Sequence, residues 1–316
     1  MYNEAHHVEF EAIPPFSFEL TVHKPAGWWW STPNEIFEND VLWTAARFNH
    51  TLLGLKLCSK GTLQKPCVRC QVFAPERLSD EQKANVASIV KRALGVEEDL
   101  REFYTLTQKD TIVRNVVEDL CGMRTVSWPD LLPALILAVT LQMAPMKRSN
   151  QMMDLLIENF GDTIQFDEKT VRYWPSAEKL ASSSVEDLKT KAKLGYRAAN
   201  IQSIAKTLKD GFPTMQQLWE MPHDEAKNQL LSLRGIGDYS ADIIVPGMGF
   251  PLDVWSAKIF HILLLGKETE SPRDAIPMLK RMAEERWGKW RGRVFAYVLN
   301  DLPKISKRIG FDLTRF

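Results

Sequence analysis

The 316-residue sequence predicts two domains of different structural class. The first is an α+β domain over residues 1–110, with an antiparallel sheet plus a helix, and the second is an all-α domain over residues 111–316. Strand-like alternation fills the segment from Phe16 to about Pro75, whereas almost every segment beyond residue 110 has the apolar spacing of helices. The length agrees with two domains, because a domain typically contains roughly 100–200 residues.

Four sequence runs in the N-terminal domain have the pattern of strands. FSFELTV alternates in polarity, and VLWTAARF and TLLGLKL are short runs of β-forming residues. The segment LCSKGTLQKPCVRCQVF reads as two strands that are joined by a turn around Gly61. These runs predict the antiparallel sheet.

Helices are predicted from capping residues and from apolar spacing. In the first domain, Ser79 begins a helix that stops at Gly95. In the second domain, residues 130–140 are apolar on all sides, as in a buried central helix, and residues 146–160 have one apolar face. Further helices are predicted at 184–193, 196–209, 222–232, 238–248, 254–265, 274–287 and 291–300.

Composition and charge exclude several classes of protein. The 40 Lys+Arg residues balance 40 Asp+Glu residues, so the surface as a whole is not basic. The hydrophobic share of 45% excludes a disordered or collagen-like chain. The N-terminus does not resemble a secretory signal, and the longest apolar stretch, 131–145, is too short to span a bilayer. A soluble, intracellular protein without a membrane partner is therefore expected.

The cysteines predict neither a disulfide framework nor a metal site. Cys67 and Cys70 would point to opposite faces of one strand, which is a poor arrangement for a shared zinc ion. If residues 60–65 form the turn, Cys58 and Cys67 lie opposite each other and could pair oxidatively, but free thiols are expected in a reducing cell. The fourth cysteine, Cys121, has no partner in this scheme.

The most informative stretch of the sequence is a predicted helical hairpin. A helix ends at Leu233, Gly235 and Gly237 allow a tight turn, and a second helix begins at about Asp238. Ile236 points back to pin the two helices together. The free N–H groups of such a turn can bind a phosphate oxygen without a basic side chain. A plain helix–helix turn is the alternative.

Asp253 follows the hairpin in Pro-Leu-Asp-Val-Trp, at the start of the next helix. Its carboxylate is predicted to cap that helix. A capping carboxylate at the mouth of a cleft is also held rigidly, so this structural role is compatible with a catalytic one.

These motifs together resemble the HhH-GPD superfamily of DNA glycosylases. LRGIGDYSAD and LDVWSAKIF resemble its helix-hairpin-helix motif and catalytic aspartate. GMRTVSWPDLLPALILAVTLQMAPMKRSNQMM is similar to the helix and loop that these enzymes insert into the minor groove, and KLGYRAANIQSIA is similar to their Gly-Tyr-Arg segment. AEERWGKWRGRVFAYVL is similar to the Trp-x-x-Trp-Arg segment of the 3-methyladenine DNA glycosylase II branch, which also carries an N-terminal β-sheet domain.

The resemblance is strong over 120–300 and loose over 1–110, and it implies a function. The protein would be a monofunctional DNA glycosylase that flips a damaged base, with an alkylated base expected, out of duplex DNA. It would hydrolyse the N-glycosidic bond without a cofactor or metal and leave an abasic site for base excision repair. Its partner would be damaged double-stranded DNA, bound by a monomer in the cytoplasm and nucleoid of a prokaryote or the nucleus of a eukaryote. The alternatives are a bifunctional 8-oxoguanine-type glycosylase/lyase and a non-catalytic DNA-binding protein.

The resemblance also assigns the catalytic groups. Asp253 would stabilise positive charge at C1′ and orient or deprotonate the attacking water. Asp238 and Asp242 are the competing carboxylates, the first as a helix-terminal acid and the second as a solvated or structural one. Bifunctional members carry a nucleophilic lysine at the position of Tyr239, which cannot form a Schiff base. Lys258 is a displaced alternative nucleophile, although a solvent or phosphate contact is its expected role.

The base pocket and the inserted loop follow from the same resemblance. Tyr239, Trp255, Tyr297 and Trp30 are predicted to surround the extruded base, because aromatic faces attract electron-poor purines. Leu299 stands where the most similar branch has a second pocket tryptophan, which leaves the substrate range open. Core packing is the alternative for Trp30, since it lies in a run of three tryptophans.

The predicted DNA contacts surround the loop and the hairpin. Met143 is the predicted wedge that fills the gap in the stack, with core packing as its alternative, and Gln142 would face the duplex. Gly235, Ile236 and Gly237 would bind the backbone. Each basic residue nearby is an ordinary surface charge when taken alone, but together they bracket these segments. The candidates are Lys147, Arg148, Lys191, Lys193, Arg197 and Arg234.

Overall fold

The structure of the chain, a computed structural model, describes residues 2–48, 50–125, 128–245 and 249–316. A five-stranded antiparallel sheet forms the N-terminal part, in the order β1-β5-β4-β3-β2. Its strands are β1 (Asn3–Glu11), β2 (Ile36–Glu38), β3 (Val41–Phe48), β4 (Thr51–Ser59) and β5 (Cys67–Ala74). The predicted strands at VLWTAARF and TLLGLKL are thus confirmed, as are the two strands around Gly61.

The helices fill most of the remaining chain, and the predicted ones agree with the structure to within a few residues. They are α1 (Phe18–Val22), α2 (Asp80–Leu94), α3 (Arg101–Gln108), α4 (Arg114–Asp119), α5 (Leu131–Leu141), α6 (Met146–Phe160), α7 (Ala177–Ser182), α8 (Val185–Lys191), α9 (Arg197–Lys209), α10 (Met215–Glu220), α11 (His223–Leu231), α12 (Asp238–Ile244), α13 (Val254–Leu265), α14 (Pro272–Trp287), α15 (Arg291–Asn300) and α16 (Leu302–Ile309). Residues 246–248, at the end of the predicted 238–248 helix, lie outside the described residues.

Local hydrogen bonds overturn the strand that was predicted at FSFELTV. Most of this run forms α1 instead, because the Ser17 side chain accepts a hydrogen bond from the backbone N–H of Leu20 at 3.2 Å. The Thr21 hydroxyl in turn donates to the Ser17 carbonyl at 2.6 Å. One edge strand of the sheet is β1, further towards the N-terminus, where no strand was predicted. The N-cap at Ser17 therefore favours a helix here, although the polarity alternates every two residues as in a strand.

The register of β4 and β5 corrects the predicted cysteine pairing. Cys58 lies opposite Arg69 rather than opposite Cys67, so the two thiols are diagonal neighbours. All four cysteines are free. Cys67 is half-buried and Cys70 is fully buried, in agreement with their predicted positions on opposite faces of β5.

The C-terminal domain is largely helical but not all-α as predicted, because it contains a β-hairpin. The strands β6 (Asp162–Phe166) and β7 (Lys169–Tyr173) pair antiparallel through a two-residue turn. Asp167 and Glu168 form that turn with φ values of 46° and 61°. A turn with two positive φ values usually contains Gly or Asn, so this pair carried no hairpin signal in the sequence. The hairpin packs on the sheet, where the ring of Phe166 occupies the space beside Gly54.

Three hydrophobic cores hold these elements. The sheet core lies between the sheet and α2, the first helical core contains α5 to α12, and the second helical core contains α3, α4 and α13 to α16. Leu100 and Phe103 belong to the second helical core, although the predicted boundary at residue 110 placed them in the N-terminal domain. The change of core occurs between Val96 and Leu100.

The three consecutive tryptophans connect the three cores. Trp28 packs against the second helical core, and Trp29 packs against the first, with its ring centroid 4.8 Å from that of Trp128. Trp30 is buried in the sheet core, where its indole N–H donates to the Ala93 carbonyl at 3.2 Å. A single short segment therefore fixes the relative positions of all three cores.

A buried arginine reinforces the same junction. Arg124 is 0% exposed, and its guanidinium donates to five backbone carbonyls from separate segments. The acceptors are Ile13, Pro15, Gly95, Glu98 and Gly122, at 2.8 to 3.3 Å. The rigid fork of donors is what allows one side chain to satisfy so many acceptors.

We expect Arg124→Met to lower the free energy of unfolding by about 3–5 kcal/mol, because it leaves several buried carbonyls without a donor. Urea denaturation measures this change. The matched control is Arg101→Met, since Arg101 forms an exposed ion pair with Asp99, and its denaturation midpoint should equal that of the wild type. A loss below about 1 kcal/mol for Arg124→Met, the typical net value of one hydrogen bond, would contradict this role.

Candidate functional site

The predicted helical hairpin is present between α11 and α12. Gly235 has a φ of +82°, and a side chain there would collide with Asn200, so this position requires glycine. Gly237 adopts an extended conformation that any residue can adopt, and a Cβ there would meet nothing within 4 Å. The turn therefore requires glycine only at position 235, in contrast to the prediction for two turn glycines. Ile236 is buried in the first helical core, as predicted.

The loop after α5 is tied to this hairpin by Gln142. The side-chain amide of Gln142 donates to the Gly235 carbonyl at 2.7 Å and to the Ser240 hydroxyl at 3.0 Å. The contact of Gln142 with the duplex stays a prediction, since these two hydrogen bonds use only the amide nitrogen of a half-buried side chain. This side chain fixes the loop and the hairpin relative to each other.

Arg197 is buried behind the loop and binds its backbone, rather than lying on the surface. It is only 8% exposed, its guanidinium donates to the Gln142 carbonyl, and it lies 4.5 Å from the ring centroid of Tyr196. The predicted phosphate contact of Arg197 is thus corrected to a structural role. The burial of this residue could not be read from the sequence, because the Gly-Tyr-Arg segment begins a helix whose orientation depends on the tertiary fold.

Met143 projects from the same loop into solvent. Its side chain is 83% exposed, which rules out the alternative of core packing. Its φ of +49° is uncommon for a residue with a side chain. The preceding residue, Gln142, is fixed by its side-chain bond to Gly235 and by the bond that its carbonyl accepts from Arg197. An unbranched apolar side chain is therefore presented outward on a fixed loop.

Asp253 caps α13, and its two carboxylate oxygens have different surroundings. Oδ1 accepts hydrogen bonds from the backbone N–H and the hydroxyl of Ser256, at 2.8 and 2.6 Å. The Ser256 hydroxyl also accepts from the backbone N–H of Asp253 at 2.9 Å, which completes a capping box. Within the described chain Oδ2 has no hydrogen-bond partner. One oxygen of the half-buried carboxylate thus holds the helix terminus while the other is free for chemistry.

Tyr239 and Asp253 are supplied by elements of the two helical cores. Tyr239 lies on α12, and both burial and the negative charge of Asp253 raise the pKa of its hydroxyl well above the usual value. The Tyr239 phenol therefore stays neutral near the Asp253 carboxylate. It stands where the resemblance places the nucleophilic lysine of bifunctional enzymes. Trp255 is half-buried against the second helical core, close to Asp253 in sequence.

Two of the predicted pocket residues belong to the core instead. Tyr297 is fully buried, and its hydroxyl donates to the Met123 carbonyl at 2.7 Å. Trp30 is also fully buried, in the sheet core. Neither ring has a surface that an extruded base could contact, so the prediction of these two pocket walls is wrong.

The competing carboxylates near the hairpin are engaged with lysine. Lys227 contacts Asp238 at 3.0 Å and Asp242 at 2.9 Å. Burial lowers the pKa of Lys227, but the hydrogen bonds and charges of Asp242 and Asp238 outweigh it and raise the pKa overall. A lysine that is held as an ammonium ion is not a nucleophile. Lys258, the alternative nucleophile considered from the sequence, lies over the ring of Phe316 at 5.2 Å from its centroid.

The remaining basic candidates lie on the surface around the loop and hairpin. Lys147 and Arg234 are exposed and have no acidic partner within the residues described. Arg148 is half-buried, and it donates to the Gln151 side chain and to the Lys193 carbonyl at 2.5 and 2.8 Å. Lys147 and Arg234 are therefore accessible at the surface, in contrast to Arg197, and the phosphate contact of Arg148 stays a prediction.

Neither a metal-binding cluster nor a membrane-spanning helix is found among the described residues. No cluster of three or more His, Cys, Asp or Glu side chains in that part of the chain is arranged to hold a metal ion. In the same ranges, no helix has the length and apolar character that crossing a membrane requires.

No protein-family model matches the chain. The DNA-3-methyladenine glycosylase of Bacillus subtilis is 23% identical over 164 residues, which are 52% of this chain and 54% of that protein. The chain thus matches about half the length of this relative.

Solved structures share the fold over nearly the whole chain. The 3-methyladenine DNA-glycosylase from Archaeoglobus fulgidus has a TM-score of 0.73 at 18% identity, covering 93% of this chain and 98% of that one. The 8-oxoguanine glycosylase/lyase of Clostridium acetobutylicum, in complex with DNA that contains cytosine opposite 8-oxoguanine, has a TM-score of 0.69 at 14% identity, covering 96% and 98%. The resemblance predicted from the motifs is thereby confirmed: the neighbours of this chain in sequence and in fold are DNA glycosylases of the HhH-GPD type, of both the 3-methyladenine and the 8-oxoguanine kinds.

Proposed function

We propose that this protein is a monofunctional DNA glycosylase that removes an alkylated base from duplex DNA and leaves an abasic site. The observation that carries the proposal is the Oδ2 of Asp253, which has no hydrogen-bond partner among the described residues, together with Tyr239 at the position where the resemblance places the lysine of a lyase. The names of the neighbours support the general class of activity.

Asp253 is proposed to act on the sugar. As the bond between C1′ and the base nitrogen breaks, its electron pair leaves with the base and positive charge develops at C1′. The carboxylate stabilises that charge, and Oδ2 accepts a hydrogen bond from the attacking water, orients it and takes up its proton as the new C1′–O bond forms. A cationic alkylated base leaves as a neutral molecule, so this reaction needs no acid to protonate the leaving group.

Substrate binding is proposed to use the groups that the fold exposes. The hairpin N–H groups bind a phosphate oxygen, and Lys147 and Arg234 add basic contacts. Met143 enters the stack and fills the space that the extruded base leaves. Tyr239 and Trp255 then provide aromatic faces, which favour an electron-deficient purine.

A bifunctional 8-oxoguanine glycosylase/lyase is the second candidate, since the chain shares its fold with the Clostridium acetobutylicum enzyme over nearly its full length. The absence of lysine at position 239 and the ion pairs of Lys227 argue against it. Borohydride trapping distinguishes the two candidates, because only a Schiff base is reduced to a stable protein–DNA adduct.

We expect Asp253→Asn to slow base release by about 10²–10³-fold, because it removes one preorganised charge at C1′. Asparagine still caps α13, so the fold should persist. The measurement is single-turnover release from duplexes that contain 7-methylguanine, hypoxanthine or 8-oxoguanine, together with binding to a duplex with an abasic-site analogue, which should be retained. Asp238→Asn is the control, with release close to the wild-type rate. Full activity of Asp253→Asn would refute the catalytic assignment, and a wild type that binds but releases no base would favour a binding protein.

Tyr239→Lys should convert the chain into one that is trapped by borohydride on damaged or abasic DNA. The new amine would lie beside C1′ and could form the Schiff base that tyrosine cannot form. Wild type and Tyr239→Phe should give no adduct in the same gel assay. An adduct with the wild type would establish the bifunctional alternative.

Met143→Ala should weaken binding to a lesion duplex about tenfold, or about 1.4 kcal/mol, without changing thermal stability, because the side chain is exposed in the free protein. Fluorescence of 2-aminopurine next to the lesion reports the loss of base extrusion. Met146→Ala, at the start of α6, is the matched control and should behave as wild type. Equal affinities for all three proteins would remove Met143 as the wedge.

A further inference from the structure

Asp242 occupies a buried position between the hairpin and the second helical core. Its side chain is 5% exposed, and it accepts from Lys227 of α11 at 2.9 Å. On its other oxygen it faces Lys280 of α14, with 3.6 Å between Nζ and Oδ2. Since α14 packs along α13, this carboxylate connects the hairpin to the layer that carries Asp253.

The same side chain also contacts the segment that leads to Asp253. A Cβ at Gly249 would lie 2.5 Å from the Cβ and 2.6 Å from the Cγ of Asp242, so the backbone at residue 249 rests directly on this carboxylate. Phe250 follows and is buried, with ring centroids 4.8 Å from Phe260 and 5.6 Å from Phe295. The chain between Asp242 and the catalytic carboxylate is thereby fixed at two successive residues.

Tyr239 precedes Asp242 by one helical turn on α12, and Asp253 follows Gly249 by four residues. The position of the Tyr239 ring and the position of the Asp253 carboxylate therefore both depend on where Asp242 is held. Lys227 orients Asp242 from the hairpin side, and Lys280 orients it from the α14 side. We call Asp242, Lys280 and the backbone at Gly249 the Asp242 clamp.

We propose that the Asp242 clamp positions Asp253 against Tyr239, and that Lys280 is a positioning residue for base release. This inference rests on the proposed glycosylase function. Lys280 itself is half-exposed and acts only through Asp242, so it differs from a group that touches the DNA. The charge on Lys280 holds the carboxylate, and the carboxylate holds the backbone of residue 249.

The first test substitutes Lys280, because its exposure allows the protein to fold without it. Lys280→Met should lower the single-turnover rate of base release by about 10–100-fold, since a displacement of about 1 Å can cost about 10²-fold. The dissociation constant for lesion DNA and the melting temperature should stay at wild-type values. Lys280→Arg, which keeps the charge, should restore the rate. Arg281→Met, a neighbouring exposed residue on α14, is the control and should release base like the wild type.

A slower rate that is accompanied by an equal loss of DNA affinity or of thermal stability would overturn the positioning role, as would a wild-type rate for Lys280→Met. Gly249→Ala is the second variant, and it acts from the other side of the clamp. It adds a methyl group against Asp242 and should slow release at unchanged affinity. A wild-type rate for Gly249→Ala would also count against the clamp.

Amide hydrogen exchange over residues 249–256 separates this inference from the proposed function. In Lys280→Met this segment should exchange at least threefold faster than in wild type and in Arg281→Met, whether or not any lesion is released. Unchanged exchange overturns the clamp. Faster exchange in a protein whose wild type releases no base supports the clamp and refutes the glycosylase assignment instead.

Discussion

The structure depends on one junction, where three hydrophobic cores meet at consecutive tryptophans. Trp28, Trp29 and Trp30 each pack into a different core, so no core can shift without moving an aromatic ring out of another. Glu35 holds this segment by accepting hydrogen bonds from the backbone N–H groups of Trp30 and Ser31, at 2.7 and 3.0 Å. Such close packing transmits displacement rather than absorbing it, because protein interiors have few voids.

The junction matters for the candidate site because its two main groups belong to different cores. Tyr239 is carried by the hairpin of the first helical core, and Asp253 is the N-cap of a helix in the second. Their relative position is therefore a property of the tertiary structure and not of any one element. Arg124 contributes by joining the backbone segments that enter and leave the sheet core. A site at the boundary between cores can also admit a base, since neither core has to be opened.

Motifs with a local physical cause could be predicted from the sequence, and features with a distant cause could not. The N-cap at Asp253 and the turn at Gly235 follow from side-chain hydrogen bonding and from φ preference, and both are present. Met143 was placed correctly on an exposed loop. The burial of Arg197 and the bond from Gln142 to the hairpin depend on which helix lies behind them, and the sequence carries no signal for that.

The prediction of secondary structure also failed where distant or capping contacts override the local pattern. Ser17 capped a helix where alternation suggested a strand, and the turn at Asp167 and Glu168 lacks the residues that usually mark a hairpin. In that turn, Asp167 accepts a hydrogen bond from the Trp43 indole at 2.6 Å and pairs with Lys56 at 2.7 Å. Contacts with the sheet thus stabilise a backbone conformation that the local sequence disfavours.

The lysines near the hairpin show how a chain with no net charge distributes its charges around the candidate site. Lys227 and Lys280 are close to the candidate site, yet both are paired with Asp242 and do not act as free cations. The charges in this region therefore contact Asp242, while the exposed turn offers backbone N–H groups that need no counter-charge. A phosphate can be bound by such dipoles without a basic surface, so the equal numbers of acidic and basic residues are compatible with a DNA partner. The cost of this arrangement is a smaller electrostatic contribution to DNA affinity, because fewer counterions are released from the DNA when the protein binds. Under the proposed function, recognition then depends on the short-range fit of the loop, the hairpin and the aromatic faces.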